Sequence, residues 1–554
     1  MAATGIVAGA PGGAAATPYP APSKHAPLLA AFYFGNASPL NVWSSDLSGA
    51  RAAFQQLQAE GFNAVELAVP WGEFEERLTP ATYNAQAFSR LDSLISLADS
   101  LHLQVILRLS YEVDVDPADQ APDRFVSVFS NEAVYKAWLG YISHVHQSVA
   151  RFPNVKVGEL SWEDWWTPVA EAMDATSPAQ SLQLATTTGY RAWLQRTYSL
   201  AKVSSIYGTS FATWSDVPTP SNTQPAFRLM YQYDDWAVVH RFFEPAAARF
   251  PGLNLEARVE DDALNSGTTE VGLYSHAATY RLPGTSYIGM YFDPYQNDPS
   301  TDRNETNAQA LTALKTTLVS MATRSGGLAT FVFEFEIVSN SPVVANNPGL
   351  SASEVPSFLV GSEPLLHQYT LGYALWTYRD YNQSPIYNPS FSLGTSGWTV
   401  QGPVQTATLS GASALALGAG SSVSQNFPVA DLADSANQPV TISLTASAPT
   451  SAPVTLHVAE AGAPTQTITV QGAQPQTYQV QAPASDVLAA GGHLTLSTTS
   501  PVTISDVKAY AFTQLGDIYS ATGDAEVGAA PLRTLNDELL AAAKDAGTSK
   551  AAKG

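Results

Sequence analysis

The sequence predicts an α/β chain, a (β/α)8 TIM barrel followed by an all-β sandwich, and three observations carry that expectation. Between residues 26 and 384, eight short apolar runs alternate with amphipathic helical stretches. After Asp380 the composition turns abruptly to Ser, Thr, Gln, Ala and Val in period-2 alternation, as in QPVTISLTASAP and HLTLSTTSPVTISDV. The 554 residues leave room for a barrel of about 250 residues or more and a second domain. The expected division is a flexible leader over 1–25, the barrel over 26–384, the sandwich over 385–515 and a tail over 516–554. That tail carries one short amphipathic helix around 531–544 and frays into GTSKAAKG.

The barrel strands follow in order. The first is 27–35 (PLLAAFYFG); a helix then runs to Gly61, a C-cap residue, and 63–70 (NAVELAVP) is the second. Leu91, Leu94, Ile95, Ala98 and Leu101 form one helical stripe before the third strand, 104–111 (QVILRLSY). The remaining five are 155–163 (VKVGELSWE), 253–260 (LNLEARVE), 286–292 (SYIGMYF), 329–337 (ATFVFEFEI) and 371–378 (LGYALWTY). The largest insertion, 166–249, separates the fourth from the fifth.

Composition excludes several function classes. Only 13% of residues are charged, about half the usual share, so the surface is built mainly from small polar residues. Lys plus Arg is 26 against 48 for Asp plus Glu, a net charge of −22, of which −16 lies before Pro385. Such a chain repels phosphate, which disfavours nucleic acid and anionic membrane surfaces as partners. Cysteine is absent, which removes disulfides, thiolate metal sites and Cys nucleophiles. No apolar run reaches the roughly 18 residues that a bilayer demands. The Ala/Gly/Pro-rich start lacks the basic and apolar regions of a signal peptide; the expectation is a secreted or periplasmic bacterial protein whose signal peptide has been removed. No phosphate-cradling glycine loop follows a strand, so no cofactor is expected, and the oligomeric state stays open.

In such a barrel, functional side chains project from the C-terminal ends of the strands. The fourth strand closes as GELSWEDWW, with Glu159 and Glu163 on one face; the seventh closes as FVFEFEI, with Glu334 and Glu336 on one face. Carboxylates inside such apolar runs are costly unless paired or used. These two strands lie on roughly opposite sides of the mouth, and two carboxylates facing each other there suit glycoside hydrolysis. The alternative is that the glutamates pair with barrel arginines such as Arg108 or Arg258. Aromatic residues gather at the same ends: Trp71, Trp162, Trp165, Trp166, Tyr291, Tyr295 and Trp376. Flat sugar C–H faces stack on such rings, although packing accounts for some of them.

Two further groupings are weaker. The His144-Val145-His146 pair resembles a metal-hydrolase motif but falls mid-helix, where a solvated face is expected, so no metal ligand is assigned. The run Asp114 to Asp119 resembles a calcium loop only loosely and reads as a rim loop.

The stretch 69–112 (VPWGEFEERLTPATYNAQAFSRLDSLISLADSLHLQVILRLSYE) resembles the second and third units of clan A glycoside hydrolases, above all the β-galactosidase families 35 and 42. The stretch 190–220 is similar to the family 42 insertion after the fourth strand, and LGYALWTYRDY resembles the clan's eighth strand with its substrate-facing Trp. The resemblance implies Glu163 as acid/base and Glu334 as nucleophile of a retaining β-glycoside hydrolase, with a β-galactoside favoured and Glu336 as the competing nucleophile. It implies substrate contacts from Trp71, Arg108, Trp162, Trp165, Tyr291, Tyr295 and Trp376, Tyr291 or Tyr295 orienting the nucleophile. The chain departs from the clan at Trp162, where Asn is usual. NPSFSLGTSGWTV, SVSQNFPV and VTISDVKAY resemble strands of jelly-roll carbohydrate-binding modules, in which the opening Asn-Pro-x-Phe and Trp398 are structural. The rival readings are a barrel that binds polysaccharide without cleaving it, a glucanase- or mannanase-like endo-hydrolase of the same clan, and a metal-dependent hydrolase.

Overall fold

The computed structural model describes residues 26–35, 39–110, 124–161, 165, 167–173, 175–257, 277–294, 306–337, 349–429, 438–450 and 453–551. Eight parallel strands close a barrel: β1 (Leu28–Phe32), β2 (Ala64–Val69), β3 (Gln104–Leu109), β4 (Val155–Ser161), β5 (Leu253–Ala257), β6 (Tyr287–Phe292), β7 (Ala329–Glu336) and β8 (Thr370–Trp376). Each pairs with the next and β8 pairs with β1, the closure expected from the eight apolar runs. Strands buried on both faces read as continuous apolar runs, which is why these segments stood out. Helices such as Ala50–Ala59, Ala85–Ser100, Glu132–Val149 and Asn307–Arg324 cover the outside. The Ala85–Ser100 helix starts where the Asn84 side chain accepts from the backbone N–H groups of Gln86 and Ala87.

The barrel interior is packed by Ala30, Phe32, Ala64, Ile106, Phe331, Phe333 and Ala374. Strand β7 carries one extra residue. Val332 pairs with Met290 of β6 and Tyr373 of β8, whereas Glu334 pairs with Tyr291 and Phe335 with Leu375, so Phe333 is a bulge against both neighbours. The bulge switches the alternation: Phe331 and Phe333 join the interior, Val332 and Phe335 the outer layer. Gly289 of β6 makes room for it, since a Cβ there would stand 2.6 Å from the Phe333 ring and 2.4 Å from the Leu255 carbonyl oxygen.

The insertion between β4 and β5 is helical, with segments Pro178–Thr187, Tyr190–Thr197, Leu200–Tyr207 and Arg228–Ala237. A short antiparallel pair, Glu75–Leu78 with Ala81–Tyr83, follows β2.

Beyond β8, among the described residues, ten strands build the sandwich: β9 (Thr399–Gln401), β10 (Val404–Leu409), β11 (Ala412–Leu417), β12 (Ser421–Asn426), β13 (Val440–Ser447), β14 (Val454–Glu460), β15 (Gln466–Val470), β16 (Gln476–Ala482), β17 (His493–Thr498) and β18 (Val502–Tyr510). They form two five-stranded antiparallel sheets, β9-β12-β17-β14-β15 and β10-β11-β18-β13-β16, around a core of Leu415, Ile442, Leu444, Leu456, Leu496 and Ile504. Asn388 is buried and binds Gly394 and Ser396 carbonyls, while the Trp398 indole donates to the Asn388 carbonyl, so the Asn-Pro-x-Phe segment is structural. Asn41, after β1, ties the sandwich to the barrel by donating to the carbonyls of Ser384 and Ile386.

The tail helix is longer than the expected 531–544. A helix runs Ala529–Ala551, and Leu532, Leu535 and Leu539 belong to the barrel core. Asn536 is buried between β8 and the first helix, accepting from Tyr373 and donating to the Glu60 carbonyl at 2.8 Å. Arg533 pairs with Glu60 at 2.7 Å. The chain thus returns to its first domain after building its second.

Candidate active site

Glu336 is the last residue of β7 and lies level with Trp376 at the end of β8. The Tyr291 hydroxyl of β6 sits between two carboxylates, donating to Glu336 and standing 2.6 Å from Asp293 Oδ2. A phenol has one proton, so both contacts hold together only when one carboxyl group is itself protonated. Trp376 packs edge-on against Phe32 and Phe34, with ring centroids 4.9 and 4.8 Å apart.

Glu334 lies one layer deeper. Because of the bulge its carboxylate turns inward, and Arg108 Nη1 meets its Oε2 at 3.0 Å with both side chains at most 5% exposed. This is the arginine pairing that the sequence offered as the alternative to catalysis. Glu66, Glu159 and Glu256 are buried in the same interior. Burial pushes the Glu66 and Glu159 carboxyls well above the usual range; Arg108 pulls both back, and neighbouring carboxylates push them further up. All four carboxyl oxygens of the two are buried without a hydrogen-bond donor among the described residues, which adds to the cost of ionising them.

The other expected site residues divide. Trp71 and Trp165 are corrected to core residues. The Trp71 indole is fully buried, donates to Glu75 Oε2 at 2.6 Å and is covered by the Arg124 guanidinium 5.0 Å from its centre. Trp165 is stacked on Phe242 at 4.0 Å and edge-on to Trp138 at 5.0 Å. Neither leaves a ring face for a sugar. Arg108 likewise faces the interior carboxylates rather than the mouth. Glu163, Trp162, Trp166, Tyr295, Arg258 and the Asp114–Asp119 run lie outside the described residues. His144 stacks on the Tyr83 ring at 3.9 Å, and His146 meets Phe250 edge-on. Asp293 is the residue that sequence reasoning missed; its trace was a polar residue two places after Tyr291 on the same face. Among the described residues no helix is long and apolar enough to cross a membrane.

No family model matches the chain, and no curated protein matches it. Among solved structures it is similar to GH5_18 from Streptomyces cattleya in complex with Manb1-4GlcNAc, at 14% identity and TM-score 0.40, over 64% of this chain and 72% of that one. It is similar to an exo-beta-1,4-mannosidase from Opitutaceae bacterium strain TAV5, at 15% identity and TM-score 0.38, over 66% of this chain and 55% of that one. It is also similar to a beta-galactosidase from the psychrophilic Marinomonas ef1, at 12% identity and TM-score 0.45, over 65% and 55%. The chain thus spans just over half the length of the last two.

Proposed function

We propose that this chain is a retaining β-glycoside hydrolase acting on a β-linked oligo- or polysaccharide, a β-galactoside before other sugars. The observation that carries the reading is Glu336, a carboxylate on the last residue of a barrel strand, bonded by Tyr291 and level with Trp376. A nucleophile needs an ionised, oriented oxygen with access to the mouth. Glu336 meets that need better than Glu334, whose carboxylate is held by Arg108 below. Glu163 stands two residues past the end of β4 and takes the acid/base role by its place in the sequence.

The reaction then runs in two displacements. A Glu336 oxygen attacks the anomeric carbon while the glycosidic bond breaks and Glu163 gives its proton to the departing oxygen. Water, losing a proton to Glu163, attacks the same carbon from the face just vacated and releases Glu336 with the configuration retained. Asp293, when protonated, donates to the Tyr291 oxygen and leaves the phenolic proton for Glu336, so that the nucleophile stays anionic and fixed.

A 2-deoxy-2-fluoro-β-galactoside with a good leaving group tests the assignment. Peptide mapping is expected to find the trapped sugar on Glu336 within the segment 329–337. Label on Glu334 would reverse the choice. A folded protein that binds β-linked tetrasaccharides but releases no sugar would replace hydrolysis with simple binding.

A further inference from the structure

A cavity of about 460 Å³ lies in the seam between the barrel mouth and the sandwich. That volume is within the ordinary range of small-molecule sites. Its barrel wall includes Phe34 and Tyr381, which pack on Trp376 at centroid distances of 4.8 and 6.0 Å and on each other at 5.5 Å. Ala412 of β11, with Asp506 and Lys508 of β18, forms the sandwich wall. Neither domain encloses the space alone.

Two residues on its lining have unspent hydrogen-bonding capacity. Asn41, 1% exposed, spends its Nδ2 protons on the Ser384 and Ile386 carbonyls, and its Oδ1 has no partner among the described residues. Ser390, 9% exposed, has a hydroxyl with none. Each such atom costs about 1–3 kcal/mol unless something in the cavity bonds it. One needs a donor, and the other takes either role.

Charge narrows the ligand further. The acids on the lining are Asp46, Asp380 and Asp506, the bases Arg379 and Lys508. Lys508 is paired with Asp506 at 3.4 Å, Asp46 accepts from Ser48, and Asp380 accepts from the Gly516 backbone. With the two signs nearly balanced, neither a phosphate nor a polycation gains from entering. A neutral polyhydroxyl ligand, both donor and acceptor at every hydroxyl, fits both open positions.

We propose that this seam binds a sugar unit of the substrate chain beyond the unit held at the barrel mouth, so that the sandwich shapes the substrate site instead of binding glycans independently. The inference rests on the glycosidase reading for its ligand class, with Phe34 and Tyr381 as the partition between the mouth and the seam.

The test uses the full-length chain with Glu336→Gln, so that sugars bind without being cleaved. Calorimetry compares β-1,4-linked galacto-, manno-, gluco- and xylotetraose with the corresponding methyl β-glycosides. Ala412→Phe, which fills the cavity from the half-buried edge of β11, is expected to raise the tetrasaccharide-to-monosaccharide Kd ratio about tenfold. Ser390→Ala, which removes only a hydroxyl and spares the fold, is expected to raise it about threefold to tenfold. An unchanged ratio in Ser390→Ala overturns the proposal, and so does failure of every tetrasaccharide to bind the parent. If the protein with Glu336 intact hydrolyses nothing yet the ratio shifts, the hydrolytic reading fails and the seam site stands.

Discussion

The Arg108–Glu334 pair decides whether Glu334 supports the barrel or performs chemistry, and a double-mutant cycle reads it directly. The charges meet at 3.0 Å with side chains 1% and 5% exposed. At an effective dielectric of about 20, two charges some 4 Å apart attract by about 4 kcal/mol. Removing one partner strands the other, a loss of about 3–5 kcal/mol in buried pairs. Glu334→Leu is expected near the low end, about 3 kcal/mol. Arg108 then still faces the Glu66 and Glu159 carboxyls, which remain beside it as partners. Arg108→Met is expected at about 4–5 kcal/mol, because it strands Glu334 and withdraws the cation that lowers both carboxyl pKa values. Arg108→Met with Glu334→Leu leaves no charge of the pair unpaired, so the double variant should lose only about 2–4 kcal/mol, a coupling of about 4 kcal/mol. Urea unfolding followed by tryptophan fluorescence at pH 6 measures all four proteins. Single losses that simply add, within about 1 kcal/mol, would refute the pairing and reopen the catalytic assignment of Glu334.

Four other expectations follow from the same geometry. Glu336→Gln should lower kcat about a thousandfold or more while leaving the unfolding midpoint within a few degrees; nitrophenyl β-galactoside turnover and a thermal melt check both. Burial pushes the Glu75 carboxyl up to about 7, and those of Glu66 and Glu159 well up. A carboxyl raised in the folded state gives stability that is complete below about 4.5 and lost as the pH climbs through the folded value, so Tm should fall between pH 5 and 8 and Glu75→Gln should flatten the fall. Leu535→Ala, in the core-docked C-terminal helix, should cost about 2–5 kcal/mol by urea unfolding; a loss under 1 kcal/mol would mean that the helix is not docked. Gly289→Ala should destabilise by about 1–3 kcal/mol or more, because the carbonyl of Leu255 and the Phe333 ring must both yield.

The barrel was legible because parallel strands covered on both faces leave a signal that needs no partner to be read: eight apolar runs, most of them separated by helical stretches. The first expected run overshot by three residues, to Gly35, because the chain stays aromatic after it leaves the sheet; the expected end of the fourth, 162–163, lies outside the described residues. The pair Glu75–Leu78 and Ala81–Tyr83 was missed since EERL and ATY are too short and polar to alternate visibly. The tail was misjudged for a different reason. Its Leu532, Leu535 and Leu539 stripe is plain in the sequence, but its docking ground, the helix end at Glu60 and the Tyr373 hydroxyl, lies more than 150 residues away. Local pattern reports an amphipathic face and says nothing about which surface covers it.

The two glutamates of β7 mark where period-2 reading stops. Residues two apart share a face, so Glu334 and Glu336 were equivalent by alternation, and no count along FVFEFE could rank them. What ranks them is depth. With Phe333 bulged out of register, Glu334 drops beside Arg108 and Glu336 reaches the level of Trp376 and the Tyr291 hydroxyl. The bulge had one trace in the sequence, Gly289 in a strand interior, where a missing side chain signals close approach by a neighbour. Trp71 and Trp165 teach the same lesson from the opposite direction. They follow strand ends, yet Glu75 and Arg124 claim one ring and Phe242 the other before any sugar could. A residue at a strand end is therefore a candidate for chemistry only after its depth in the barrel has been set against that of its neighbours, and by that criterion Glu336, level with Trp376, outranks Glu334 beside Arg108.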